Sequence, residues 1–299
     1  MKTLQAKHGR LAALSAFVIW GVFPLYFGLL RGVSPFRVVA HRVLWSGLLS
    51  SLLLIFWLRR PLADLVRAGG LRTSLARLGV TALLLAFNWA VYLYAMSAGR
   101  VVESSLGYFI NPLVSVLLGW CFLKERLSPV QIVGVGLATV AVLILSAGSF
   151  PTIAILLALS FATYGLLRKQ LPLDPLLASC LESLLLMPVA AGYLLCSPAD
   201  PHPVAIDLLL VGTGLCSMTP LLLFNLGAKA IPYSTLGLLQ YVTPTLQFAC
   251  AVFFFAEPVS RRQLGSFTLI WLALALSAVD AIWRPHASKK ARKLGGRFS

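Results

Sequence analysis

Residues 111–131 read NPLVSVLLGWCFLKERLSPVQ, and residues 243–263 read TPTLQFACAVFFFAEPVSRRQ. Each stretch has a proline at its second position, then a long apolar run, then a short polar end. This recurrence indicates an internal duplication. Four residues recur at a constant offset of 132 positions, namely Pro112 with Pro244, Glu125 with Glu257, Ser128 with Ser260 and Gln131 with Gln263.

Two further blocks extend the duplication toward the start of each half. At an offset of 140, Pro35 recurs as Pro175 and Arg42 is matched by Glu182. The triplet IWG at 19–21 is matched by TYG 144 positions later. The blocks occur in the same order in both halves, and changes in loop length would produce the drifting offset.

The composition indicates a membrane protein. Of the 299 residues, 59% are hydrophobic and 11% are charged, and the mean hydropathy is +0.88. Soluble domains carry about 25% charged residues. The net charge of +16 could suggest nucleic-acid binding, but the basic residues lie at the termini and between apolar blocks, as in cytoplasmic loops. We therefore expect a lipid bilayer around the protein and no nucleic-acid partner.

Ten apolar segments are long enough to cross a bilayer as helices, which takes about 20 residues. With the N-terminus inside, 19 Lys and Arg residues lie on the inner side and 4 on the outer side. Because positive residues concentrate in cytoplasmic loops, both termini are predicted to be cytoplasmic. The first segment is read as a retained span, not a signal peptide. The segments are 11–30, 36–58, 76–98, 101–122, 129–147, 151–167, 175–196, 206–228, 234–256 and 264–283.

Each half contains five of these segments, so the second half enters the membrane from the opposite side. The predicted fold is an all-α polytopic membrane protein with ten transmembrane helices, arranged as two inverted five-helix repeats. Such repeats are typical of secondary transporters, whose substrate site lies near the midplane between the halves. The predicted boundaries are 1–148 and 149–284 for the repeats and 285–299 for a basic cytoplasmic tail.

Two ionisable residues lie inside predicted spans at mirrored depths. Arg42 lies seven residues after Pro35, and Glu182 lies seven residues after Pro175. A charged residue at membrane depth normally faces a cavity or a partner. Because the two depths differ by about 10 Å, no direct Arg42–Glu182 ion pair is expected. Glu103, near the outer end of the fourth span, is the better partner for Arg42.

Other roles remain open for these residues. Arg42 could instead extend to lipid headgroups. His41 could titrate near neutral pH and carry a proton, although a lone histidine is more often a hydrogen-bonded structural group.

Polar residues at helical spacing form stripes on three spans and predict a hydrated central cavity. The alternative is that they join helices by hydrogen bonds worth roughly 0.6 kcal/mol each. The stripes consist of Ser104, Tyr108 and Asn111 on the fourth span, Gln240, Thr243 and Gln247 on the ninth, and Asn88 and Tyr92 on the third.

Several catalytic motifs are absent from the sequence. It has no GxxxxGK[ST] phosphate loop, so ATP-driven transport by this chain alone is not expected. We expect energy from an ion gradient or from substrate exchange, with no ATPase partner required. The sequence also has no HExxH or GxSxG. The five cysteines are scattered singly in apolar segments, without metal-ligand spacing. We expect no cofactor and no metal.

The chain resembles the RarD-type members of the EamA drug/metabolite transporter family. The motifs that carry the resemblance are HRVLWS (41–46), NW (88–89), ESSLGYFINPL (103–113), ATYGLLRK (162–169), STLGLLQYVTPTL (234–246) and LIWLALALSAVDAIW (269–283). The resemblance covers nearly the whole chain. It implies ten helices in two inverted repeats, a bacterial inner membrane and an export-type transporter, but it supplies no residue-level mechanism.

The sequence therefore predicts a secondary transporter for a small organic metabolite or drug. Arg42 and Glu103 would form a charged group on the outer side, and Glu182 would be a candidate proton carrier. A non-transporting membrane regulator or channel-like protein and a membrane-embedded enzyme remain alternatives. The other candidate site residues are His41, Trp45, Asn88, Trp89, Tyr108, Asn111, Tyr164, Gln240 and Tyr241.

Overall fold

The computed structural model describes residues 2–30, 32–98, 100–146, 151–198, 201–256 and 260–276. Within these ranges, the side chains of 2–5, 96–97 and 101–104 are outside the description. All regular secondary structure in the described ranges is helical. The helices are α1 (Lys2–Gly21), α2 (Phe23–Gly28), α3 (Pro35–Phe56), α4 (Arg59–Arg67), α5 (Leu71–Ser97), α6 (Val101–Leu123), α7 (Pro129–Leu145), α8 (Thr152–Gln170), α9 (Pro175–Cys196), α10 (Val204–Ala230), α11 (Tyr233–Leu239) and α12 (Val242–Phe253), followed by helical residues 261–276.

Eight helical segments of the described chain are long and apolar enough to cross a membrane. They coincide with eight of the ten predicted spans. At the fifth predicted span, α7 is apolar but has 17 residues. The tenth predicted span continues beyond residue 276, outside the described residues. A helix satisfies its own backbone polar groups, which is why helices are the form that apolar segments of this length adopt in lipid.

The first and ninth predicted spans are each divided into two helices next to a proline. Proline lacks an N–H and its ring clashes with the carbonyl four residues earlier. Pro24 thereby frees the carbonyl of Trp20, and Gln247 donates to that oxygen at 3.4 Å. Pro244 follows the break between α11 and α12. By contrast, α6 continues through Pro112, so the two repeat-related prolines differ in effect.

The connection between the second and third spans contains a helix that was not predicted. In α4, Arg59 and Arg60 lie at the start and Arg67 at the end, and most of the residues between them are apolar. Because its side chains are mostly exposed, the helix is suited to the membrane surface.

The two halves of the chain are packed into each other. Helix α1 packs against α10, α3 against α9 and α10, and α6 against α8 and α11. The largest buried cluster joins Phe17 of the first half to Tyr164, Phe224 and Tyr233 of the second. The central space is therefore enclosed by helices from both halves.

A capping box at the start of α7 recurs at the equivalent position of the second half. Gln131 N donates to Ser128 Oγ at 3.0 Å, and Ser128 N donates to Gln131 Oε1 at 2.9 Å. Ser260 and Gln263 make the same reciprocal bonds, at 3.2 and 2.9 Å. Residues matched at an offset of 132 thus perform the same task, which supports the duplication.

Replacing Ser128 with alanine is expected to lower the free energy of unfolding by about 1 kcal/mol, because a helix N-cap bond is lost. Ser260→Ala should cost a similar amount. SDS titration of the purified protein, followed by circular dichroism, measures both. Thr139→Ala is the matched control, since Thr139 is exposed on α7 and bonds the carbonyl of Val135 within its own helix. An equal loss in the control would contradict the capping role.

Candidate functional site

A cavity of about 710 Å³ lies between the two halves. Ligand pockets for small molecules range over about 300–1,000 Å³. Its wall combines aromatic side chains with a few polar groups. The aromatic residues on the wall are Phe17, Trp20, Phe23, Phe27, Trp89, Tyr92, Tyr108, Phe161 and Phe255.

The cavity reaches the protein surface at one end. The exposed residues Gly32 and Pro35, in and after the α2–α3 connection, contribute to its wall. At the opposite end, none of the residues in 124–128, 169–175 and 228–236 lines it. A ligand could therefore enter from the end that holds the α2–α3 connection.

Seven of the twelve predicted site residues lie on this wall. The polar stripes contribute further lining residues, namely Tyr92, Thr243 and Gln247. The seven are Arg42, Asn88, Trp89, Tyr108, Asn111, Glu182 and Gln240.

Arg42 lies on the wall between aromatic rings. Its Nε donates to Ser217 Oγ at 2.8 Å. Its guanidinium carbon lies 5.4 Å from the ring centroid of Phe27 and 5.6 Å from that of Trp89. Cation–π attraction acts at such distances, so the two rings hold the guanidinium in place.

Glu182 lies on the wall between hydroxyl groups and is 2% exposed. Tyr164 donates to its Oε2 at 3.0 Å, and Thr81 is hydrogen-bonded to its Oε1. A chain of polar groups continues behind Tyr164, because Asn225 donates to the Tyr164 hydroxyl at 3.0 Å and to Ser179 at 3.2 Å.

Each of the two repeat-related charged residues is hydrogen-bonded to a residue of the other half. Arg42 on α3 bonds Ser217 on α10, and Glu182 on α9 bonds Thr81 on α5. Each charge therefore lies on the second span of one half and contacts a hydroxyl on the third span of the other. Within the described residues, Arg42 and Glu182 form no ion pair with each other, in agreement with the depth difference predicted from the sequence.

Two amides on the wall have buried atoms without a partner in the described part of the chain. Neither Nε2 nor Oε1 of Gln240 has a hydrogen-bond partner, although the residue is only 5% exposed. Oδ1 of Asn111 is likewise unpartnered. Asn88, in contrast, donates to Leu157 O at 2.9 Å and to Ser160 Oγ at 2.8 Å. Since unpartnered buried polar atoms are costly, Gln240 and Asn111 are suited to bonding a ligand.

Four predicted site residues, His41, Trp45, Tyr164 and Tyr241, lie away from the wall. His41 accepts a hydrogen bond from Trp45 Nε1 at 3.3 Å, one turn along α3. Tyr164 is fully buried and contacts Glu182. Tyr241 is also buried, and its hydroxyl donates to Phe109 O at 3.2 Å. The side chain of Glu103 lies outside the described residues, so its pairing with Arg42 stays a prediction.

Trp45 lies where α3 crosses α10. A methyl group on Gly214 of α10 would lie 2.7 Å from the Trp45 carbonyl carbon and 2.9 Å from Ser46 N. Ser46 Oγ also donates to Gly214 O at 3.0 Å. Small residues permit such close helix crossings in membranes. This crossing places Ser217, one turn further along α10, beside Arg42.

Gly214→Ala is expected to destabilise the protein by about 1–3 kcal/mol, because the added methyl group meets backbone atoms that must move. Unfolding in SDS measures the change. Gly136→Ala on α7 is the matched control, since nothing lies within 4 Å of its added carbon. Alanine should there be neutral or stabilising by up to about 1 kcal/mol through helix propensity. Equal effects at both glycines would contradict the close packing.

The other end of the helix assembly is closed by a set of polar contacts, which we call the closed end. Glu125 accepts from Tyr233 N at 2.6 Å, Ser234 N at 2.8 Å and Ser234 Oγ at 2.7 Å. Lys169 donates to the carbonyl of Ala228 at 2.7 Å and also to that of Ile231. Lys229 is bonded to the carbonyl of Leu173. These contacts join the end of α6 to the start of α11, and α8 to α10.

Three residues that contact Arg42 or Glu182, namely Thr81, Ser217 and Phe27, were not identified from the sequence. The internal duplication contains a signal for Thr81 and Ser217. Thr81 and Ser217 are 136 positions apart, between the offsets of 140 and 132 found in the flanking blocks.

Within the described residues, no group of His, Cys, Asp and Glu is placed to hold a metal ion.

The family model described as EamA-like transporter family matches residues 7–147 and 151–279. The chain therefore belongs to the EamA-like transporter family and is a multi-pass membrane protein. The two matched ranges correspond to the two halves of the duplication.

Relatives in bacteria match over nearly their whole length. The uncharacterized transporter YojE of Bacillus subtilis is 39% identical, covering 97% of this chain and 99% of the relative. Protein RarD of Escherichia coli is 37% identical, covering 97% and 100%. A protein of known crystal structure has a TM-score of 0.70 at 18% identity, covering 91% of this chain and 97% of its own. That likeness concerns the fold alone.

Proposed function

We propose that the protein is a secondary active transporter that exports a small organic metabolite or drug by alternating access. The observation that carries the proposal is a ligand-sized cavity between the two halves of a duplicated chain. The cavity reaches the surface at one end and is sealed at the other. Family membership supports transport as the activity.

The proposed topology is ten transmembrane helices in two inverted five-helix repeats, at 1–148 and 149–284, with a basic tail at 285–299. The membrane is the bacterial inner membrane, with both termini cytoplasmic. In this orientation, the surface opening at the α2–α3 connection faces outward and the closed end faces the cytoplasm. The conformation is then the one from which an exporter releases its substrate.

Glu182 is the proposed proton carrier. Thr81 has one hydroxyl hydrogen, and its oxygen is within bonding distance of both Glu182 Oε1 and Leu78 O. If that hydrogen goes to Leu78, Glu182 must be protonated to bond Thr81. If it goes to Glu182, Oε1 acts as the acceptor and the carboxylate can be ionised. The site thus accommodates both protonation states by rotation of one hydroxyl group. The His41 alternative receives less support, since His41 bonds Trp45 away from the wall.

The proposed substrate contacts are the wall residues predicted from the sequence. Trp89 and Tyr108 offer flat apolar faces, while Asn88, Asn111 and Gln240 offer amides. Tyr164 positions Glu182, and Trp45 positions α10 against α3. Tyr241 supports the packing of α12 on α6 through its bond to Phe109.

Reconstituted transport tests the proposal. A metabolite screen on a deletion strain supplies substrates, and their uptake into proteoliposomes is measured with and without a pH gradient. A transporter gives saturable uptake, inhibition by competitors and counterflow. Non-saturable flux would indicate a channel-like protein, and a chemically altered compound would indicate an enzyme. Flux no greater than in protein-free liposomes, for every compound from the screen, would refute transport.

A further inference from the structure

The charge of the cavity is set by two residues. Arg42 and Glu182 are the charged side chains among its described lining residues. Both oxygens of Glu182 are already engaged, by Thr81 and Tyr164. Within the described residues, Glu182 forms no ion pair with Arg42, so the guanidinium is the positive group of the cavity and has no described counter-charge in contact with it.

Within the described part of the chain, most of the hydrogen-bonding capacity of Arg42 is unused. A guanidinium has five N–H donors, and Ser217 occupies the one on Nε. The flanking rings of Phe27 and Trp89 orient the planar group without occupying its terminal nitrogens. The terminal N–H groups form a fork that matches the two oxygens of a carboxylate.

We infer that the substrate is an organic anion whose carboxylate, or an equivalent oxyanion, binds the terminal nitrogens of Arg42. Its apolar or aromatic body lies against the aromatic wall that includes Trp20, Trp89 and Phe161. The inference rests on the proposed transport function and names the substrate class of the same cavity.

The unpartnered amides add a second requirement. Oδ1 of Asn111 and Oε1 of Gln240 are acceptors, so the body of the ligand should present an O–H or N–H donor. Gln240 Nε2 can in turn donate to an oxygen of the ligand. A hydroxylated or amidated aromatic carboxylate meets all these requirements.

Cationic and neutral ligands fit less well. A cation near Arg42 would be repelled in surroundings where charges interact more strongly than in water. A neutral ligand would leave the charged fork without a counter-charge. The phosphate of an anionic lipid shares the oxyanion chemistry, and the experiment below separates it from a soluble carboxylate.

Three ligands with one body and different charges test the inference. They are 4-hydroxyphenylacetate, 4-hydroxyphenylacetamide and tyramine, which are anionic, neutral and cationic. Binding to the full-length protein in phosphatidylcholine nanodiscs is measured by isothermal titration calorimetry. We expect the acid to bind at least about tenfold more tightly than the amide, as charge-assisted bonds are about twice as strong as neutral ones. Tyramine should bind most weakly.

Substitutions at Arg42 test whether this residue causes the preference for the acid over the amide. Arg42→Gln should remove the difference between acid and amide, and Arg42→Lys should keep part of it, because lysine retains the charge but not the fork. Arg60→Gln, exposed on α4, is the matched control and should bind like the wild type. Size-exclusion profiles and circular dichroism check folding, and Arg42→Lys keeps the test decisive if Arg42→Gln misfolds.

Several results would overturn the inference. They are equal or tighter binding of the amide or tyramine, no binding of the acid at millimolar concentration, and an acid preference that survives in Arg42→Gln. Phosphatidylglycerol in the nanodiscs that displaces the acid would assign Arg42 to a lipid headgroup instead. Binding of the acid together with no transport of any screened compound in proteoliposomes would refute the transport function alone, and transport without charge preference would refute the anion site alone.

Discussion

Glu182→Gln is expected to reduce pH-gradient-driven accumulation of substrate to the level of protein-free liposomes. Counterflow, which needs no net proton movement, should remain. Glutamine has nearly the same shape as protonated glutamate and can still accept from Tyr164 and donate to Thr81. The variant therefore resembles a carrier that never releases its proton. Paired measurements of uptake and counterflow in proteoliposomes separate the two properties.

Asp64→Asn is the control for this substitution, because it also removes one acidic group but lies on the exposed helix α4. It should behave like the wild type in both measurements. If Glu182→Gln keeps full gradient-driven accumulation, the proton is not carried by Glu182. If counterflow is lost as well, Glu182 is needed for substrate binding or folding, and the proton-carrier role loses its support.

Glu125→Gln is expected to open the closed end. Glu125 accepts three hydrogen bonds through two oxygens, and glutamine keeps only one of those oxygens. The amide nitrogen of glutamine is itself a donor and would face one of the three groups that now donate to Glu125, so no hydrogen bond would form there. A hydrogen bond to a charged group contributes about 1.5–3 kcal/mol, and a 1.4 kcal/mol change is about tenfold in an equilibrium. The population open at this end should rise at least about tenfold.

Maleimide labelling measures this opening. Leu236→Cys, in a chain without the native cysteines, places a thiol at a fully buried position of α11. Its labelling rate should rise about tenfold when Glu125→Gln is added. Arg126→Gln is the matched control, because Arg126 is the exposed neighbour of Glu125 and the substitution also changes the charge by one unit. An equal rise in the control, or no rise with Glu125→Gln, would mean that Glu125 does not hold the end closed.

Much of the fold could be predicted from apolar segment length and from the repeated residues. Span length follows from bilayer thickness, and Ser128–Gln131 and Ser260–Gln263 carry their capping chemistry within four residues. The short helix α4 was missed because its apolar residues are few and lie between arginines.

The sequence predicted a polar cavity and several of its wall residues, but it did not predict which side chains bond each other. Helical spacing found Tyr108 and Gln240, which are matched at an offset of 132 and both line the cavity. Their neighbours Phe109 and Tyr241 are also matched, but they face away and bond each other. Successive residues of a helix point in directions about 100° apart around its axis. A small error in the assumed orientation of the helix therefore assigns a buried residue to the cavity wall, or a wall residue to the interior. The partners Ser217 and Thr81 depend on how the halves pack, which no local pattern encodes.

The exchange of partners between the halves has a consequence for biosynthesis. Arg42 is made 175 residues before Ser217, which at about 5–20 residues per second is a delay of roughly ten to thirty-five seconds. During that time α3 would hold an arginine in lipid, which costs about 2.5–3.5 kcal/mol of insertion free energy. The apolar residues of α3 alone must offset this cost. Glu182, in contrast, is made 101 residues after Thr81. Glu182 therefore enters the membrane when its partner Thr81 is already there, whereas Arg42 enters the membrane before its partner Ser217 has been synthesised.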